Sequence, residues 1–397
     1  MGKEQVKTVQ TGLEVFLETG LPQLRGQRVG LITNHTGVHH NLRTTVDLLA
    51  SSEHLSLCTL FGPEHGLRGE AQAGVEVESS HDSRTGLPVY SLYGSARRPT
   101  AEMLQGLDAL IFDIQDVGAR YYTYLATMAY AQEAAAQAGL QFVVFDRPNP
   151  IAGTQIEGNI LASSFASIVG VHPLPSRHGL TIGEMARLFA AERNYLPPLV
   201  VPMRGWQRSL WFDETDLPWI YPSPNLPTLD SATLYPGTCL LEGTTLSEGR
   251  GTTRPFELVG APGLDPFRLC AELERLSLPG VAFRPAYFVP TFSKHQQSLC
   301  SGVQIHCIER ECIHPVALGV HLLATLRKLQ PDSFAWVTGK SGVPFIDRLY
   351  GSDALRHALD AGTDVASIIV EWNEPVAAFK ERRRPFLLYP DEREELC

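Results

Sequence analysis

Acidic side chains at the ends of apolar runs are the first sign of chemistry in this chain. Residues 55–60 (LSLCTL) are apolar enough for a buried strand and pass straight into FGPEHGLRGE, which places Glu64 and His65 between Gly62-Pro63 and Gly66. Glycine and proline there fix the backbone and leave two titratable groups at the end of a rigid element. Asn34 and His35 follow a run at 29–33 (VGLIT), Asp113 and Asp116 follow 109–114 (ALIFDI), and Asp146 with Arg147 follows 142–146 (FVVFD). With Glu157, Glu242 and Glu248 the chain holds a surplus of carboxylates. Cleavage of a glycosidic bond needs two of them, one protonated to donate to the leaving oxygen and one ionised to assist at the other face. Tyr121, Tyr122, Tyr124, Trp206, Trp211 and Trp219 offer surfaces on which a sugar stacks. Each feature also has a plainer reading: the GPEH turn as a tight loop, Asp116 and Asp146 as helix caps, the aromatics as core, and His65 as a structural histidine.

The elements that must position these groups alternate along residues 28–203. Apolar runs at 29–33, 55–61, 87–93, 109–114, 142–146 and 199–203 read as strands. Helical spacing appears at 44–52, 100–107, 122–139 and 181–192, the last opened by the capping pair Thr181 and Glu184, and Gly139 stops the alanine-rich one. Continuous apolar strands separated by helices predict a parallel sheet covered on both faces, a Rossmann-like doubly wound α/β domain. In such sheets ligands bind outside the carboxyl ends of the strands, so the polar groups above are expected to converge on one rim. Residues 204–259 are rich in proline, glycine and tryptophan, little of the stretch is periodic, and it reads as loops covering the crevice. From 260 onward, helices at 267–276, 314–329 and 354–362 and strands at 281–292 and 301–308 predict a smaller α+β domain. The expected division is a catalytic domain over 1–259 and an auxiliary domain over 260–397.

At 397 residues two domains are the default expectation. A net charge of −10 and a pI near 5.7 argue against nucleic acid as a partner. An anionic ligand then requires a local arginine cluster. No apolar run is long enough for a membrane span, and the amino terminus carries no apolar core followed by a cleavage site, so a cytoplasmic location is expected from the chain as it stands. The seven cysteines are odd in number and read as reduced core thiols. Cys300, Cys307 and Cys312 with His306 and His314 do not match the spacing of a zinc site, so no metal is expected there. The segment TNHTGVHHN after the first strand carries one glycine, and neither GxGxxG, GxxxxGK[ST] nor GxSxG occurs. No cofactor is expected.

The motifs GPEHGLRG (62–69), DIQDVGARYYTY (113–124), DRPNP (146–150), IEGNIL (156–161), SPNLPT (223–228), LYPGTCLLEGTTLSEGRGTTRPFE (234–257) and FIDRLYGSDALR (345–356) together resemble the exo-β-N-acetylmuramidase family of bacterial glycoside hydrolases. The resemblance spans almost the whole chain in order. It implies release of non-reducing terminal β-1,4-linked N-acetylmuramic acid from peptidoglycan fragments, a Rossmann-like catalytic domain, a smaller carboxyl-terminal domain and a cleft between them. Members of that family are often exported, which implies a periplasmic or extracellular location where a leader has been removed. By resemblance Glu64 is the catalytic acid, expected in a partly desolvated loop that raises its pKa, with His65 tuning it. Asp113, Asp116 and Glu248 are the contenders for its partner, unless the 2-acetamido group of the sugar is itself the nucleophile. Muramic acid carries a lactyl carboxylate, for which Arg120, Arg147, Arg177, Arg250 and Arg254 supply positive charge. Asn34, Tyr122, Asn149, Glu157, Asn225 and Glu242 complete the expected substrate contacts with Arg120, Arg147 and Arg250. The competing readings are a hydrolase with a divalent ion on His65, Asp113 and Asp116, a non-catalytic muropeptide-binding protein and a nucleotide-dependent oxidoreductase, the last without its glycine fingerprint.

Overall fold

Short β-branched and aromatic runs build the first half of the protein. The computed structural model describes residues 8–69, 80–94, 96–330, 332–339 and 342–390; Cys397 and residues 1–7 lie outside them. Helix α1 (Gly12–Thr19) precedes β1 (Arg28–Thr33), and α2 (Thr45–Ala50) leads to β2 (Ser56–Gly62). Then come β3 (Ser80–His81), β4 (Pro88–Ser91), β5 (Ala109–Asp113), α3 (Thr123–Ala138) and β6 (Gln141–Phe145). An antiparallel pair, β7 (Glu157–Ile160) and β8 (Pro175–Arg177), precedes α4 (Ile182–Glu192) and β9 (Leu199–Val201). The main sheet has the order β3-β4-β2-β1-β5-β6-β9 and is parallel except for the edge strand β3. Alternate residues go to opposite faces, as the strand period requires. Leu110 and Phe112 pack under α3 and α4, while Ala109 and Ile111 pack toward α1 and α2.

The second unit follows in the order α5 (Leu229–Thr238), β10 (Leu258–Ala261), α6 (Pro266–Arg275), β11 (Val281–Phe288), β12 (Cys300–Cys307) and α7 (Pro315–Leu329). Four helices close the chain: α8 (Phe345–Tyr350), α9 (Ala354–Ala361), α10 (Val365–Val370) and α11 (Asn373–Arg383). Its antiparallel sheet has the order β10-β12-β11. Helices α5 and α7 cross at two glycines: a Cβ on Gly237 would stand 1.7 Å from the Pro315 carbonyl oxygen. Only glycine permits that approach, which gives the LYPGT motif a structural reason. The apolar core on the α3 side of the main sheet runs without a break into this unit through Leu234, Leu269, Val303 and Leu323. Among the described residues no helix is long and apolar enough to cross a membrane, and the six described cysteines are free thiols.

Two expectations from periodicity are corrected. Residues 100–107 form turns rather than a helix: Leu104 and Leu107 are buried at helical spacing, but Gly106 takes φ +79° and ends the run. The proline-rich stretch 204–259 holds a buried ten-residue helix, α5, opened by the Thr228 hydroxyl accepting from the Ser231 amide at 3.1 Å. Pro236 lies in its last turn, so the i→i−4 bond it cannot make to the Ala232 carbonyl is lost only near the end of the helix.

Candidate active site

Strand β2 ends in a β-turn in which the Gly66 amide donates to the Pro63 carbonyl at 3.0 Å. His65, the third residue, has φ +71° and is buried. A non-glycine residue in the left-handed region costs about 1 kcal/mol, which is held here by the rigid strand before it. The turn directs Glu64 inward, where it is 8% exposed. Thr123, the first residue of α3, donates its hydroxyl to Glu64 Oε2 at 2.5 Å. The Tyr93 phenol, just beyond β4, also bonds to Glu64; burial first, and then the Glu64 charge, push Tyr93 up to about 12. It therefore remains a donor in neutral solution. The carboxyl is thus clamped by two hydroxyls at the positive end of a helix.

This clamp opens into a cavity of about 550 Å³, within the size range of small-molecule sites. Tyr93, Tyr121, Tyr122, Tyr235, Phe256, Phe292 and Phe345 supply its rings, and Glu64, His65, Asn225, Glu242 and Arg250 its strongly polar groups. Phe345 and Leu349 come from α8, so the cavity lies between the main sheet and the second unit. Glu64 and Glu242 are the carboxylates, and Arg250 the arginine, among the described lining residues. Arg250 donates to Glu242 Oε1 from Nη2 at 2.7 Å and from Nε at 3.2 Å, and its Nε stands 3.5 Å from Glu248 Oε1. Burial disfavours its charge, but Glu242 and Glu248 together outweigh that and hold Arg250 above the usual arginine range. Glu248 itself lies behind the wall, bonded to Lys294 Nζ at 2.9 Å.

The other expected residues stand at strand ends, outside the lining. Asp113 is fully buried and accepts from Arg147 Nε at 2.5 Å, from Arg147 Nη2 at 3.0 Å and from the Thr45 hydroxyl at 2.5 Å. That ion pair fills the point between β1 and β5 where the strand order reverses, the crevice in which doubly wound sheets usually bind ligands. The cavity is displaced toward β2 and β4. Asp116 accepts from the Gly118 amide at 2.8 Å and lies 3.4 Å from His178 Nε2. Asn34 accepts from the Thr36 amide and hydroxyl, and Asn149 donates to the Leu180 carbonyl. Asp146 accepts from the Gly183 amide at the start of α4, the capping role foreseen for it.

Arg120 donates to four carbonyls, those of Asn159, Leu174, Leu349 and Tyr350, at 2.6 to 2.8 Å. Arg177 bonds to Gln155 and to the Ile151 carbonyl, and Arg254 pairs with Glu257. Of the five arginines expected to form a cluster, Arg250 alone lines the cavity. Glu157 accepts from the Ala317 amide at the start of α7 at 2.7 Å and faces a separate, mostly apolar cavity of about 400 Å³. Burial pushes its carboxyl up to about 7. Of the aromatics singled out, Tyr121 and Tyr122 line the site, whereas Tyr124 bonds to Pro222, Trp206 packs on Tyr389, Trp211 lies under Arg310 and Trp219 bonds to Pro227. Sequence reasoning missed Tyr93, Thr123, Tyr235 and Phe292. Tyr93 carried a signal, since it closes the apolar run 87–93 as Glu64 follows the run 55–61. Among the described residues no group of three His, Cys, Asp or Glu is placed to hold a metal ion.

Residues 29–230 match the family model described as exo-beta-N-acetylmuramidase NamZ, N-terminal, and residues 233–389 match its C-terminal counterpart. The chain is 49% identical over 382 residues to a Bacillus subtilis protein described as peptidoglycan beta-N-acetylmuramidase NamZ, covering 96% of this chain and 91% of that one. Two crystal structures of DUF1343 family proteins from Bacteroides fragilis share the fold. One has a TM-score of 0.89 at 37% identity over 98% of this chain and 100% of its own, the other 0.77 at 30% over 97% and 100%.

Proposed function

The chain belongs to the exo-β-N-acetylmuramidase family, and from that premise we propose that it is a glycosidase that releases non-reducing terminal β-1,4-linked N-acetylmuramic acid from peptidoglycan fragments, with Glu64 as the general acid. The observation that carries this reading is the clamped Glu64 carboxyl in a ring-lined cavity that also holds Arg250. Protonated Glu64 passes its proton to the glycosidic oxygen as the bond from that oxygen to C1 breaks, so the leaving sugar departs as a neutral alcohol. Thr123 and Tyr93 hold the carboxyl in one orientation and accommodate the negative charge left on it. The tyrosine rings and Phe292 take the apolar faces of the sugar. Arg250 meets the lactyl carboxylate, and Glu242 holds the guanidinium in place.

For the attack on C1 we favour the sugar's own 2-acetamido oxygen. Supporting this, Asp113 is engaged by Arg147 and Thr45, Asp116 by the Gly118 amide outside the cavity lining, Glu248 by Lys294, and Glu242 by Arg250. Water then opens the cyclic intermediate with Glu64 as base, so the β configuration is retained; proton NMR of the first product tests this, and an α product refutes it.

The function is tested with chromogenic aryl β-glycosides of N-acetylmuramic acid and N-acetylglucosamine. Wild type turns over the muramic substrate, and Glu64→Gln loses about 10²- to 10⁴-fold in kcat. A wild type that binds the muramic glycoside without turnover makes the protein a binding module. Loss of wild-type turnover on chelation, restored by a divalent ion, favours metal-assisted chemistry instead.

A further inference from the structure

Residues 289–299 leave the end of β11 and pass over the rim of the cavity, to which they contribute Phe292 and Ser293. Ser293, His295 and Gln297 all take positive φ, at 69°, 55° and 59°. Three non-glycine residues in that region within one short strap require strong anchors. The Thr291 amide and hydroxyl both donate to the Gly251 carbonyl, at 2.8 and 2.9 Å. His295 Nε2 lies 2.7 Å from the Thr245 carbonyl. Lys294 reaches furthest in: its ammonium bonds to the Leu241 and Leu246 carbonyls at 2.8 Å each and to Glu248 Oε2 at 2.9 Å. An ammonium has three protons, and here each has an acceptor.

The consequence runs through charges. Lys294, Glu248, Arg250 and Glu242 form a chain of alternating sign, linked by the contacts at 2.9, 3.5 and 2.7 Å. Glu248 is buried, so it requires a cation wherever one can be found. We propose that Lys294 is a positioning residue for recognition of the sugar's carboxylate: it satisfies Glu248 from behind and leaves Arg250 facing the cavity. This rests on the reading that Arg250 meets the lactyl group. Without Lys294, Arg250 is the remaining cation next to Glu248 among the described residues, and the guanidinium closes the 3.5 Å gap and turns from the cavity. The four-residue chain also changes from neutral to a net charge of −1, which repels an anionic sugar. No cation at this position touches the reacting atoms, so the effect belongs in binding.

The experiment measures kcat and KM on the aryl muramic glycoside, and competitive inhibition by free N-acetylmuramic acid and by free N-acetylglucosamine, with calorimetry confirming folding. Lys294→Met is expected to raise KM about tenfold or more, to weaken N-acetylmuramic acid by a similar factor, and to change kcat and N-acetylglucosamine inhibition by less than about threefold. Adding Glu248→Gln removes the opposing charge and is expected to restore most of the loss. A role confined to filling space or bonding the two carbonyls gains nothing from that second change, so absence of rescue overturns the proposal. Unchanged KM in Lys294→Met, or a loss confined to kcat, overturns it as well. Should Lys294→Met fail to fold, Lys294→Arg keeps the charge and must keep KM within about threefold. Arg250→Lys is measured in parallel: if it raises KM while Lys294→Met does not, the proposal alone fails, and if it leaves KM and N-acetylmuramic acid inhibition unchanged, the lactyl assignment fails with it.

Discussion

Replacing Asp113 by asparagine distinguishes a carboxylate that holds the sheet together from one that takes part in chemistry. The wild-type group is fully buried and accepts three hydrogen bonds, two from Arg147 and one from Thr45. Asparagine preserves the shape but removes the charge, and Arg147, itself buried, is left with neutral acceptors, the amide oxygen and the Val38 carbonyl at 3.2 Å. Breaking a buried pair from one side costs about 3–5 kcal/mol, and the surviving amide oxygen places this change at the lower end, about 3 kcal/mol. Unfolding entropy of about 2.1 cal/mol/K per residue amounts to about 0.8 kcal/mol/K over this chain, so Tm falls by about 4 °C. Calorimetry supplies Tm, and steady-state turnover of the muramic glycoside at 25 °C supplies kcat, which stays within about threefold of wild type. An unchanged Tm with kcat reduced 10²-fold or more would instead make Asp113 a catalytic group.

The clamp on Glu64 predicts that Tyr93→Phe and Thr123→Val each lower kcat about tenfold, the worth of one hydrogen bond to a charged group, with KM held within about twofold; effects on KM alone would place both residues in substrate binding. Glu157 gives a pH signature. Its folded pKa of about 7 lies above the unfolded value, so the stability it contributes is present below about 4.5 and is lost as pH rises through 7, by up to about 3 kcal/mol. Glu157→Gln keeps an acceptor for the Ala317 amide without the titration, so it should gain in Tm relative to wild type between pH 5 and pH 8. Equal Tm differences at the two pH values would show that Glu157 does not titrate in that window.

Much of the architecture is written in local pattern. Six apolar runs became the six principal strands of the main sheet, and α3, α4, α6, α7 and α9 kept the places that helical spacing assigned them. What escaped lacks a period long enough to count: β3 has two residues, and β7 and β8 have four and three. Helix α1 is marked in the sequence by its capping box, Thr11 with Glu14. The site was legible where backbone chemistry singles out a residue, as Gly-Pro and Gly do around Glu64. Arginines are harder, because the same side chain serves a carboxylate or a cage of carbonyls. Arg120 and Arg250 both sit in family motifs, yet one is spent on four backbone oxygens and the other faces a cavity. That difference depends on residues more than two hundred positions away, such as Leu349 and Tyr350.

The carbonyl cage of Arg120 also bears on how a substrate enters. Burial pulls this guanidinium down to about 10, and its acceptors come from β7, from the segment before β8 and from α8. The next three residues, Tyr121, Tyr122 and Thr123, line the cavity, and so does Leu349. A clamshell motion that parted the two halves would pull Arg120 from at least some of these bonds, each of about 1.5–3 kcal/mol. Those bonds favour a mould with a fixed outline, and on the function proposed above a sugar comes and goes past side chains at the mouth. A mould selects by size as well as by charge. On the function proposed above, extra bulk on the terminal sugar is expected to meet these walls, so that the end of a glycan chain is read one residue at a time.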